Sequence, residues 1–164
     1  MNLDDFDLMN ATTPPTNNGG SSRRAKGPVD PVVAKRNKRN RKRGNRTSAD
    51  LAKYLGGWNV EGAQLPWDVE TKGARIQSKR EAANMTANRA LGLLQYIDAS
   101  QALRVLFHVA PRQRLASGTV YCLYREWVGW YGWTTPPHSW LVATKGEPLI
   151  AMPLPTFRDI HVGG

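Results

Sequence analysis

Cysteine is nearly missing from this chain of 164 residues: Cys122 is the single one. That excludes an internal disulfide framework and a cysteine-rich zinc site. No run of about 18 apolar residues occurs, so no membrane-spanning helix is expected. No apolar stretch follows a positive start near Met1, so no secretory signal is expected either. The sequence has no Walker loop, no Gly-x-Gly-x-x-Gly and no Gly-x-Ser-x-Gly, and no internal repeat. Acid is also short, with 13 Asp+Glu against 23 Lys+Arg and a formal charge of +10. A surplus of that size points to a polyanion, nucleic acid before an anionic membrane. The length suits one domain and a tail.

The surplus is local. Residues 1–20 carry a net −3 from Asp4, Asp5 and Asp7, residues 21–46 carry +10, and residues 47–164 only +3. Residues 1–46 hold Pro14-Pro15, Asn17-Asn18-Gly19-Gly20, Ser21-Ser22, Pro28 and Pro31, and few apolar side chains to offset ordering entropy. They are predicted to form a disordered arm, polybasic from Arg23. From Val32 onward Arg36, Lys38, Arg39, Arg41, Lys42, Arg43 and Arg46 recur without an apolar face, and like-charge repulsion argues against a stable helix there. Such an arm attracts phosphates through charge and counterion release, without reading sequence.

The domain is predicted over 47–164. Ser48 suits an N-cap for residues 49–55, where Leu51, Tyr54 and Leu55 form one apolar face before Gly56-Gly57 stops the helix. Trp58–Glu61 reads as a short strand. The segments 67–71 and 74–80 alternate around Lys72-Gly73 and read as a hairpin. Residues 81–98 suit a second helix, 102–110 a buried strand and 118–124 another. The Gly- and Pro-rich remainder, with Trp127, Trp130, Tyr131, Trp133 and Trp140, reads as irregular. The expected fold class is α/β or α+β, a mixed central sheet flanked by helices.

A two-residue loop pairs Glu70 with Arg75, Val69 with Ile76 and Asp68 with Gln77. Asp68, Glu70, Arg75, Gln77 and Lys79 then share one face, with Val69 and Ile76 toward the core. An acid opposite an amide and a lysine is a way to hold a hard divalent cation beside a phosphodiester. Asp68 and Gln77 would be ligands, Lys79 would act on the water or the developing charge, and Glu70 would be an auxiliary acid. The bland alternative is a solvated face with a weak cross-strand pair between Glu70 and Arg75.

The run Asp68 … Gln77-Ser78-Lys79 resembles the D…(E/Q)-x-K signature of the PD-(D/E)XK nuclease superfamily. Ile76-Gln77-Ser78-Lys79-Arg80 is similar to the Gln variant of Mrr-like restriction endonucleases. Arg43-Gly44 followed by Leu51 and Leu55 looks like the start of archaeal-type and phage Holliday-junction resolvases, whose first-helix glutamate is Ser48 here. Gln77 is neutral, and Glu70 or Glu61 could supply the missing charge, with Glu70 favoured by hairpin parity. The resemblance covers about residues 43–125. It implies a restriction-endonuclease-like core, a Mg²⁺- or Mn²⁺-dependent DNA endonuclease acting on branched or double-stranded DNA, a homodimer, and a cytoplasmic setting in a prokaryotic or phage-infected cell.

Other features have ordinary readings. The aromatic cluster can pack locally, form an interface or stack bases. His108 reads as a core histidine and Cys122 as buried filler; His138 and His161 receive no role. The competing function is a non-catalytic nucleic-acid-binding or capsid-like packaging protein that uses the basic arm. A capsid-type jelly roll would need about eight strands in two sheets.

Overall fold

The computed structural model describes residues 30–98, 100–133 and 135–163. The arm expected over 1–29 lies outside these residues. The remainder of that arm is corrected: Pro31–Leu55 is one helix of 25 residues, α1. The Asp30 carboxylate accepts from the Val32 N–H (2.7 Å) as an N-cap, and Pro31 occupies the first turn. The helix ends where Gly56 adopts φ 66° and Gly57 N–H donates to the Ala52 carbonyl at 2.8 Å. Its second half is buried at Thr47, Ser48, Leu51, Ala52 and Leu55. From this anchored end the helix propagates without a new nucleation step, and each like-charge pair opposes it by only a few tenths of a kcal/mol. That is why charge repulsion did not win.

The remaining elements are β1 (Trp58–Asn59), β2 (Val69–Thr71), β3 (Ala74–Arg80), α2 (Ala87–Gln95), β4 (Leu103–Val109), a 3-10 turn at Leu115–Ser117, β5 (Thr119–Leu123), α3 (Tyr124–Tyr131), β6 (Trp140–Val142), β7 (Leu149–Pro153) and α4 (Leu154–His161). The strands form one mixed sheet in the order β1-β2-β3-β4-β5-β7-β6. β3 and β4 run parallel, joined through α2, and the other neighbours are antiparallel. The fold is therefore α+β, a mixed seven-stranded sheet flanked by helices. This single sheet differs from a two-sheet jelly roll.

Two cores follow from the alternation of strand side chains. Leu51 and Leu55 of α1, Trp127 of α3 and Phe157 of α4 pack with Val69, Ile76, Val105 and Met152 on one face. Leu91 and Leu94 of α2 pack with Trp67, Leu106, Leu123 and Leu149 on the other. The hairpin has the expected register, Val69 opposite Ile76, Glu70 opposite Arg75 and Thr71 opposite Ala74. Gly73 alone carries the positive φ of the turn, 98°, so Lys72 is spared a left-handed backbone.

The region expected to be irregular is corrected as well. Leu149–Pro153 is an almost wholly buried strand next to β5, and Pro155 lies in the first turn of α4, where proline is well tolerated. Punctuation by glycine and proline marked the ends of these short elements rather than their absence.

Candidate functional site

The site is built where α1 crosses the end of the β2–β3 hairpin. Val69 opposes Ile76, and the Asp68 N–H also donates to the Ile76 carbonyl (2.9 Å). Two residues therefore face one, a β-bulge, and the strand parity breaks at Asp68. Trp67 lies in the α2-side core and Val69 in the α1-side core. Between them, Asp68 turns its carboxylate to the α1 side. Its Oδ2 accepts from the Ser78 N–H (2.8 Å) and the Ser78 hydroxyl (3.2 Å). The Ser78 hydroxyl in turn meets the Ser48 hydroxyl of α1 at 2.9 Å.

This corrects the shared face expected from simple alternation. Arg75, Gln77 and Lys79 lie on the opposite side of β3 from Ala74, Ile76 and Ser78. Arg75 stacks over Trp67 of the α2-side core, 4.6 Å from the ring centroid, and pairs with Asp98 at 2.9 Å. Glu70 is 3.9 Å from Arg75, a weak surface contact as in the bland reading. Gln77 registers beside Leu106 and Lys79 beside His108 on β4. Gln77 Oε1 is buried and has no hydrogen-bond partner, like His108 Nε2. Among the described residues, no hydrogen bond or ion pair joins Asp68 to Gln77 or Lys79.

The acid that neighbours Asp68 is Glu61, the alternative that hairpin parity ranked behind Glu70. It lies in the loop after β1, and its backbone N–H donates to the Asn59 side chain (3.0 Å). Partial burial and the like charge of Asp68 push its carboxyl above the ordinary glutamate range, while a hydrogen bond to Ser48 works the other way. The Asn45 amide, oriented to satisfy its neighbours, donates to Glu61 Oε1 (2.5 Å) and to the Arg41 carbonyl (2.7 Å). Asp68 and Glu61 thus form a carboxylate pair under Asn45 and Ser48 of α1. Hairpin parity favoured Glu70 instead, because parity takes no account of a loop that delivers Glu61 or of a bulge at Asp68.

The donors are hard oxygens: two carboxylates and two serine hydroxyls. They suit Mg²⁺ or Mn²⁺, which Mg²⁺-type sites often hold through one or two carboxylates with waters and a phosphate. Gln77 does not fit this set. Among the described residues, no group of three or more His, Cys, Asp or Glu is arranged to hold a metal.

Around the site the surface is cationic. Residues 34–43 of α1 are all exposed, including Lys35, Arg36, Lys38, Arg39, Arg41, Lys42 and Arg43. An open groove continues from this surface, lined by Asn40, Arg43 and Arg46 of α1 and by Arg80, Glu81 and Arg112 across from it. At 100° per residue, Asn40, Arg43 and Thr47 fall on one flank of α1, and Arg41, Asn45 and Ser48 on the other. The groove and the carboxylate pair therefore lie on opposite flanks of the same helix.

The aromatic cluster divides. Trp127 is fully buried, whereas Trp130, Trp133 and Trp140 are exposed. His161, given no role from sequence, bridges the Thr71 hydroxyl and the Tyr131 hydroxyl, each at 2.6 Å. Burial raises the Tyr131 phenol to about 12, with Cys122 adding to it, and lowers His161. Cys122 is fully buried, and burial pushes its thiol up. No helix among the described residues is long and apolar enough to cross a membrane. Comparison with protein-family models, curated proteins and solved structures finds no match.

Proposed function

We propose that this protein is a metal-dependent DNA endonuclease, with branched or double-stranded DNA as substrate and a homodimer as the working form. The observation that carries the reading is that two carboxylates meet the same stretch of α1, Asp68 through Ser78 and Ser48 and Glu61 through Asn45, on the flank of a helix covered with cations. The helix supplies sequence-independent affinity for phosphates. Ser78 fixes Asp68 through two hydrogen bonds to Oδ2, and Asn45 orients Glu61 through a bond to Oε1. Asp68 and Glu61 would hold a divalent ion, which would supply an acidified water and offset charge on the scissile phosphate. The order helix, strand, hairpin, helix, parallel strand agrees with the core that the resemblance implies. The resolvase-type preference for branched DNA rests on that resemblance alone.

The test is cleavage of a four-way junction and of supercoiled plasmid with Mg²⁺ or Mn²⁺. Asp68→Asn and Glu61→Gln are expected to lower cleavage at least about 100-fold while DNA binding persists, consistent with the share a positioned metal site contributes. Lys79→Ala and Gln77→Ala are expected to retain cleavage, because both side chains lie across the sheet. Intact DNA in every wild-type reaction refutes the enzyme reading and leaves a non-catalytic nucleic-acid-binding protein. That second reading is favoured by one feature, the neutral Ser48 where the resolvases carry an acid.

A further inference from the structure

We infer that α1 seats in the major groove of duplex DNA, with one backbone strand running through the Arg80–Arg112 groove and the other along the Asp68–Glu61 flank. The inference deepens the nucleic-acid reading above and does not depend on cleavage.

Among the described residues, nothing packs over the first half of α1. Its residues 34–43 are exposed all round the helix. Lys35–Arg39, Lys38–Lys42, Arg39–Arg43 and Lys42–Arg46 are like-charge pairs at i,i+4. Among the described residues, the only ion pair made by a cation of the stretch 31–46 is Arg46 with Asp50 at 3.9 Å, and that pair is well exposed. A helix with cations on every side is matched by negative charge on both sides, not by one phosphate row on one face.

Dimensions select the occupant. A helix with its side chains is about 10–12 Å across, and the B-DNA major groove is about 12 Å wide. The 16 residues from 31 to 46 extend about 24 Å at 1.5 Å per residue. A single strand is usually held on aromatic side chains that stack its bases. Residues 30–46 contain no Phe, Tyr or Trp, so this surface lacks the means to hold one. The second half of α1 lies on the sheet as a ridge, and the ridge has two different flanks. On one, Arg80 and Arg112 face Arg43 and Arg46 across an open groove, a track for a phosphate backbone. On the other stand Asn45, Glu61 and Asp68. A duplex straddling the ridge presents one strand to the arginines and the other to the carboxylates. This arrangement assigns the two flanks different roles: the arginine flank anchors one strand, and the acidic flank lies beside the other.

The experiment uses the full chain in EDTA, where no divalent ion permits cleavage. Anisotropy is measured with a 20-base-pair duplex and a 20-nucleotide single strand between 50 and 200 mM salt. Duplex is expected to bind at least about ten-fold tighter than the single strand. Replacing two phosphate contacts with Arg80→Gln and Arg112→Gln together is expected to shallow the slope of log K against log salt by about 2. Lys145→Gln, remote from α1, is expected to leave the slope unchanged. Dimethyl sulfate probing is expected to show protected guanine N7 atoms, which lie in the major groove. Equal affinity for single strand, an unchanged slope in the folded double variant, or unprotected N7 atoms would each overturn the inference. A wild-type protein that cleaves DNA yet shows one of these results sinks the docking inference alone. Duplex binding with the expected slope and footprint but no cleavage in Mg²⁺ sinks the nuclease reading alone.

Discussion

Glu126 of α3 and Arg104 of β4 join the helix layer to the sheet, and their side chains are only 15% and 13% exposed. Glu126 Oε1 accepts from Arg104 Nε (2.7 Å) and pairs with its Nη2, and Oε2 accepts from the Arg104 backbone N–H (3.1 Å). Truncation by Glu126→Ala would leave a guanidinium and an amide without partners in a largely dry setting. Breaking a buried pair in this way costs about 3–5 kcal/mol. For a domain of this size each kcal/mol lowers the melting temperature by about 2–4 °C, so a loss of about 6–20 °C is expected. The assay is thermal unfolding followed by circular dichroism, with urea titration as a second measure. Replacing both partners by Arg104→Met and Glu126→Leu should recover most of the loss, because the desolvation penalty disappears with the charges. A loss below about 1 kcal/mol in Glu126→Ala would refute the reasoning, since only a well-hydrated pair is so cheap to break. So would a double variant as unstable as the single one.

The remaining expectations concern the hairpin and its anchor. Gly73→Ala puts a Cβ at a backbone φ of 98° and 3.1 Å from the Trp130 ring; a loss of about 1–3 kcal/mol is expected in urea unfolding. His161 is lowered by burial below its ordinary value. The unfolded chain therefore binds more protons than the fold as pH falls through 6.5, and stability should drop over the range from 6.5 down to the folded value. Urea midpoints between pH 8 and 5 should show this slope in wild type and a flatter one in His161→Gln. An equal slope in both would place the pH dependence elsewhere.

Much of the scaffold was readable from local chemistry. The hairpin register followed from alternation around Lys72-Gly73, and Gly73 took the left-handed position that a two-residue turn requires of one residue. The helix around Leu51 and Leu55, the apolar strand 103–109 and the strand 119–123 were marked by period and length. Asp68 was legible as a site residue, but its direction was not. Strand alternation assumes an unbroken ladder, and the bulge at Asp68–Val69 exists only because Ile76 accepts a second N–H. That one extra bond moved Asp68 away from Gln77 and Lys79 and toward Glu61, a residue seven positions earlier and delivered by a loop.

The basic stretch shows the same division. Composition alone determined that residues 21–46 carry the surplus charge, because net charge does not depend on conformation. Whether that charge hangs on a loose chain or a rigid rod was decided by tertiary structure. Leu51, Ala52 and Leu55 are clamped on the sheet, and a helix anchored at one end extends through residues that would not nucleate one. The sequence set the sign and amount of charge. The packing of one turn set its geometry, and with it the two flanks on which the proposed chemistry and binding depend.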